Sequence, residues 1–263
     1  MPLSIVQVDA FTSRPFAGNP AGVCVLPEDR DDAWMRNVAA EMNVAETAFL
    51  RKRPDGWGLR WFTPAVEIDL CGHATLASAH VLWETGELPS GETARFHTRS
   101  GLLTAVRKGD WIELDFPATP DEPVDAPPEL LESLGASPRY VGRSRFDYLV
   151  ELDSEETVHG LHPDLARMKT LGGRGVIVTS RSSNPDWDFV SRFFAPAAGI
   201  DEDPVTGSAH CCLAPYWARI LGKTSFRARQ ISPRGGELKV EVAGDRVRLA
   251  GQAVTVLRAE LLA

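Results

Sequence analysis

The chain has 263 residues, enough for one large domain or two ordinary ones, and its 43% hydrophobic and 24% charged residues exclude wholesale disorder. A net charge of -8 with no long basic stretch argues against nucleic acid as a partner, yet it still allows a small anion held by local backbone dipoles. No apolar run approaches the ~18 residues of a membrane span, and the stretch Met1–Ala10 lacks a signal peptide's basic and apolar regions, so the expectation is a cytoplasmic protein with no membrane partner.

In chain order, Asp31–Met42 reads as an outer helix, and Asn43–Leu50 as the place where that helix gives way to a strand. Gly72–Trp83 (GHATLASAHVLW) has small and apolar residues on nearly all sides, which suits a buried helix. Thr104–Phe116 alternates with period two around Gly109-Asp110 and reads as a hairpin. Pro117–Pro128 is proline-rich and polar, a linker in composition. His162–Met168 reads as a second outer helix, and Leu238–Leu249 as a second hairpin around Gly244-Asp245. The four cysteines, Cys24, Cys71, Cys211 and Cys212, form no C-x-x-C pair and are read as reduced thiols. The six histidines are scattered, so no metal site is expected.

The chain repeats itself. Arg60–Ala65 (RWFTPA) resembles Arg192–Ala197 (RFFAPA); each is followed by an acidic loop and then by a glycine opening a small-residue segment. Gly72 and Gly207, Arg99 and Arg234, and Gly109 and Gly244 are all separated by the same offset, which a chance match of short apolar segments would not hold. Two homologous halves follow, residues 1–117 and 129–263 joined by 118–128, each a sheet around a buried helix in an α+β fold.

Both central helices are entered through a loop and a glycine. Helix starts leave backbone N–H groups unpaired and carry partial positive charge, so Gly72 and Gly207 would let a carboxylate or a developing oxyanion approach. The plainer alternative is that Thr75, Asp203 and Ser208 cap their own helices. Glu46, at a strand entrance, is either solvated surface or an acid/base group, and His73 either a core-edge histidine or a member of the site. His80 and His210 fall within the central helices, where packing is the better account. Arg99 and Arg234 read as structural.

Taken together, Val8–Val23, Ala45–Phe49, Arg60–Pro64, Cys71–Thr75, Asp201–Ala209 and Gln230–Gly236 resemble the motifs of PhzF-like (phenazine-biosynthesis-like) proteins, in order and over nearly the whole chain. The resemblance implies the diaminopimelate-epimerase fold: two pseudo-symmetric halves, each a β-barrel-like sheet around a central α-helix. It implies an active site between the halves, a homodimer, and a last strand able to cross back to the first half. It also implies an isomerase acting without metal or organic cofactor on a small carboxylate-bearing molecule, similar to the isomerase of dihydro-3-hydroxyanthranilic acid. Carried over residue by residue, Glu46 matches the acid/base glutamate, His73, Asp203 and Ser208 its polar helpers, and Asn19, Gly72 and Gly207 the substrate-binding positions. One departure is Ala45, where phenazine-type members have serine, and this loosens the inference about substrate.

Two other readings stay open. Thiol-based racemases share the fold and set a cysteine on each side of the substrate carbon. Cys71-Gly72-His73 resembles one such half, but Thr206 precedes Gly207 in the other, so only a one-thiol epimerase or dehydratase using Cys71 survives. A non-catalytic ligand-binding protein with the same fold is the third.

Overall fold

The structure is a computed structural model that describes residues 3–262. The chain divides into two units, one made of the residues up to 115 together with those from 250 onward, the other of residues 116–249. The strands and helices of the first are β1 (Leu3–Ala10), β2 (Asn19–Leu26), α1 (Asp32–Met42), β3 (Glu46–Arg53), β4 (Gly56–Phe62), β5 (Glu67–Ile68), α2 (Gly72–Glu84), β6 (Ala94–Thr98), β7 (Gly101–Lys108) and β8 (Trp111–Pro117). Those of the second are β9 (Glu122–Pro123), α3 (Pro128–Leu134), β10 (Tyr140–Arg143), β11 (Asp147–Glu151), α4 (Glu155–His159), α5 (Leu165–Met168), β12 (Gly175–Arg181), β13 (Phe189–Phe194), α6 (Gly207–Leu221), β14 (Ser225–Gln230), β15 (Gly236–Ala243) and β16 (Arg246–Gly251). The last strand, β17 (Ala253–Leu261), runs antiparallel to β1 within the first unit.

Strand pairing repeats between the units. In the first, β1–β2 is antiparallel, β2–β3 parallel, β3–β4 antiparallel, β4–β6 parallel and β6–β7 antiparallel. In the second, β10–β11, β11–β12, β12–β13, β13–β14 and β14–β15 follow the same alternation. A parallel step needs a crossover, which supplies the place for a helix. In each unit the second parallel step encloses the central helix, α2 between β4 and β6, and α6 between β13 and β14.

Local chemistry explains the elements. Asp31 caps α1, its Oδ1 accepting from Trp34 N–H at 2.7 Å, and Asn43 ends it in the left-handed region. The apolar face of α1, Met35, Val38 and Ala39, packs on Ile5, Leu26, Phe49 and Phe62. Burying side chains of this size contributes roughly 1.5–3 kcal/mol each. α2 has ten buried residues and touches β1, β2, β3, β7 and β17, which is why its sequence shows almost no polar face. Its two buried hydroxyls are satisfied within the helix, Thr75 donating to Cys71 O at 2.5 Å and Ser78 to Ala74 O at 2.7 Å. Both expected hairpins are present, turning at Gly109 (φ 63°) and Gly244 (φ 66°). The second outer helix is shorter than its sequence suggests: Asp164 caps a four-residue α5. Within Pro117–Pro128 a short β9 pairs with β10, and Pro128 opens α3.

Candidate active site

Each unit carries its own cluster at the start of its central helix. In the first unit, β3 delivers Glu46 from its first position and β2 delivers Asn19 from its first, while Cys71 and His73 flank Gly72 at the start of α2. All four side chains are buried. Glu46 Oε2 lies 3.0 Å from His73 Nε2, and Asn19 Nδ2 lies 3.2 Å from His73 Nδ1. As an imidazolium, His73 points its Nε2 proton at the Glu46 carboxylate and its Nδ1 proton at the Asn19 amide oxygen; as a neutral ring protonated on Nε2, it accepts from the Asn19 amide at Nδ1. The contact is a close ion pair; Glu46 Oε2 has no well-aligned hydrogen bond among the described residues.

Cys71 stands differently. Its Sγ is 3.5 Å from Nδ1 and 3.9 Å from Nε2. A sulfur in the ring plane, on the lone-pair line of one nitrogen, would be much farther from the other. Near-equal distances put Sγ over the face of the imidazole. Glu46, Cys71 and His73 do bring donor atoms within 4.8 Å of one another. Because Sγ faces the ring while Nε2 points to the carboxylate, however, the three do not aim at a common point as metal ligands must.

Electrostatics separates the thiol from the imidazole. Burial, and then the neighbouring Glu46 carboxylate, pushes the Cys71 thiol up, so it remains a thiol near neutral pH. Burial alone would push His73 down, but the negative charge beside it outweighs that and holds the imidazole well above the ordinary histidine range. Of the neighbours that raise it, the Cys71 sulfur comes first and the Glu46 carboxylate second.

In the second unit, the loop before α6 places Asp203, Thr206, Gly207 and the half-buried Ser208 together. Thr206 Oγ1 donates to Asp203 Oδ2 at 2.5 Å. Buried Gln230, the last residue of β14, accepts from Thr206 N–H at 2.9 Å and donates to Asp203 O at 2.7 Å. The N-cap positions are Cys71 for α2 and Thr206 for α6, both extended, and neither side chain caps its helix. Thr75 bonds back to Cys71 O instead of capping α2, and Asp203 Oδ2 is engaged by the Thr206 hydroxyl. The first turn of a helix leaves backbone N–H groups without an intrahelical partner, the kind of donor that an anion uses.

The loops into the two helices are braced alike. Arg60 Nε and Nη2 grip Glu67 at 2.7 and 2.6 Å, and Arg192 Nε and Nη2 grip Glu202 at 2.7 and 2.8 Å. Each guanidinium also lies over the phenylalanine two residues on, Phe62 or Phe194. Sequence reasoning missed these clamps, although both arginines open the repeated motif and both glutamates stand five residues before the helix glycine. Gln230 was also missed; its signal is a polar residue in the buried phase of Phe226, Ala228 and Gln230. Among the residues considered apart from the site, Arg99 pairs with Glu67 at 2.6 Å, His80 meets Thr255 at 3.0 Å, and His210 meets Thr206 O at 2.8 Å.

Comparison with known proteins places this arrangement. The model of the family described as phenazine biosynthesis-like protein matches residues 8–259. The chain is 57% identical to an uncharacterized isomerase of Halalkalibacterium halodurans, covering 100% of this chain and 99% of the relative. It is 41% identical to phenazine biosynthesis-like domain-containing protein 2 of Mus musculus, over 100% of both chains. The crystal structure of a PhzF-family protein from Enterococcus faecalis matches with TM-score 0.96 and 43% identity, over 100% of both chains. A probable proline racemase from Agrobacterium radiobacter matches with TM-score 0.64 and 14% identity, covering 98% of this chain and 92% of that one, and it shares the fold. The α+β fold expected from the sequence is the fold of these PhzF and epimerase-like structures.

Proposed function

We propose, from the premise that this chain belongs to the phenazine biosynthesis-like protein family, that it is an isomerase that moves a proton on a small carboxylate-bearing substrate, with Glu46 taking and returning that proton. The observation that carries the reading is the buried Glu46 carboxylate held 3.0 Å from His73 at the uncapped start of α2. A carboxylate can accept a proton from one carbon and release it to another. The imidazolium beside it offsets the negative charge and can polarise the substrate's conjugated system. No electrons leave the substrate, so the step calls for no redox partner. In this reading Asp203 and Ser208 are the polar site groups of the second unit, and helix-opening N–H groups hold a carboxylate.

The alternative of a one-thiol enzyme draws on the position of Cys71 Sγ against His73. Its obstacle is the upward push that burial and Glu46 give the thiol, which keeps the nucleophilic thiolate scarce. A panel of small cyclic and acyclic amino and hydroxy acids, incubated in deuterated water, separates the two. Glu46→Gln is expected to lower deuterium incorporation by roughly a hundredfold or more, while folded Cys71→Ala keeps most of its rate. The reverse order, with inactivation by thiol alkylation, would transfer the base's role to Cys71. Ligand recovered unchanged and unlabelled, however tightly bound, would mark a binding protein instead.

A further inference from the structure

We propose that Gln230 is a positioning residue for Asp203: through Thr206 it fixes Oδ1 as the carboxylate oxygen on which Asp203 holds and passes a proton. The proposal rests on the reading of Asp203 as a site group given above. Gln230 is fully buried at the end of β14, and its amide is committed at both ends. Oε1 accepts from Thr206 N–H at 2.9 Å, and Nε2 donates to Asp203 O at 2.7 Å and to Thr206 Oγ1 at 3.2 Å. The two ends of a glutamine amide are ordinarily interchangeable. Here the backbone decides between them, because Thr206 N–H can only donate and the Asp203 carbonyl can only accept.

The direction of the next bond follows. Nε2 already donates into the Thr206 hydroxyl, so that hydroxyl turns its own proton to its other partner, Asp203 Oδ2, at 2.5 Å. If Oδ2 were protonated and donated instead, the hydroxyl proton would be buried without an acceptor among the described residues, a costly state. Oδ2 therefore stays an acceptor, and a proton carried by Asp203 sits on Oδ1. Gln230 acts only through this chain. The same logic accounts for threonine at the N-cap of α6 where α2 has Cys71, since a thiol is a weak donor and would relay the polarity poorly.

The test is the titration of the Asp203 carboxyl carbon, followed by NMR in the full-length, ligand-free protein labelled at aspartate carboxyls, with Asp203→Asn identifying the signal. Thr206→Val keeps the shape and removes the hydroxyl; it is expected to move the Asp203 midpoint up by about one pH unit, as loss of a hydrogen bond to a charged carboxylate should. Thr206→Ser should restore the wild-type midpoint, and Gln230→Met should shift it the same way by less. A well-folded Thr206→Val with an unmoved midpoint, or a Thr206→Ser that shifts as far as Val, overturns the proposal. If melting shows that Thr206→Val does not fold, the slowly exchanging Thr206 hydroxyl proton of the wild type decides, and its absence overturns the proposal. With the panel acid that exchanges fastest in the wild type as probe, the acid limb of the pH–rate profile should follow the Asp203 midpoint across the variants. Wild-type exchange in Asp203→Asn would sink the functional reading of Asp203 and leave the hydrogen-bond chain to stand or fall on the titration.

Discussion

The charge on His73 and the direction of the Asn19 amide are linked. While Asn19 Nδ2 donates to Nδ1, the ring is neutral with its proton toward Glu46. An imidazolium carries a proton on Nδ1 too, and then the same contact requires Asn19 to present its oxygen. Cys71 and Glu46 together raise His73 against the downward push of burial, so removing the Glu46 charge takes away part of that support. Glu46→Gln is therefore expected to lower the His73 titration from its wild-type position, as read by nitrogen NMR of the ring. A midpoint unchanged by the substitution would mean that Glu46 is not the charge His73 feels. Glu46 and His73 were legible as candidates because they sit in short motifs; Asn19 was legible only as a substrate-binding position. Its bond to His73 joins β2 to α2 through space, and no spacing in the sequence encodes which polar group meets which.

At the scale of elements, what could be read was what repeats. The offset between Gly72 and Gly207, the two hairpins and the all-round apolar central helices are periodic features, and strand pairing repeats with them. What could not be read was how the loops before the helices are held, because an arginine–glutamate clamp depends on the path of the loop between its partners. The two clamps also differ in depth: the side chain of Arg192 is 10% exposed and that of Arg60 32%. Arg192 further donates to Val158 O and Leu161 O. Breaking a well-buried pair costs about 3–5 kcal/mol, and a pair with a half-exposed arginine less. Arg192→Met should therefore destabilise the second unit well beyond what Arg60→Met does to the first, with urea unfolding as the measure; equal losses would show that depth is not what matters. A second element-scale expectation concerns Gly18, just before Asn19. Its φ is +66°, and an added Cβ would stand 2.1 Å from the Ala10 carbonyl oxygen. The left-handed backbone alone costs a side chain about 1–2 kcal/mol, and relieving the clash must displace the start of β2. Gly18→Ala is thus expected to lower both melting temperature and deuterium exchange, since Asn19 moves with the strand.

At the scale of the whole molecule, two buried histidines give stability opposite dependences on pH, one in each unit. His73 has a folded-state affinity for protons above its unfolded one. Its contribution to the first unit is fully present below the unfolded pKa, about 6.5, and is lost as pH rises through the raised folded value. His210 is the reverse. It is fully buried against Phe189, its Nδ1 donates to Thr206 O, and burial lowers it to about 4. Above about 6.5 it is neutral whether the chain is folded or not and contributes no pH dependence. As pH falls from there toward about 4, the unfolded chain gains a proton that the folded one refuses, and stability drains by roughly 3 kcal/mol over the window. Acid should therefore weaken the second unit first, while alkali weakens the first. Urea unfolding near pH 7 and near pH 4.5 can check the acid side: the wild type should lose clearly more stability across that step than His210→Gln, which cannot titrate. Near pH 8.5, His73→Gln should show a flatter dependence than the wild type. If His210→Gln lost as much stability in acid as the wild type, protonation of His210 would not be what limits the second unit.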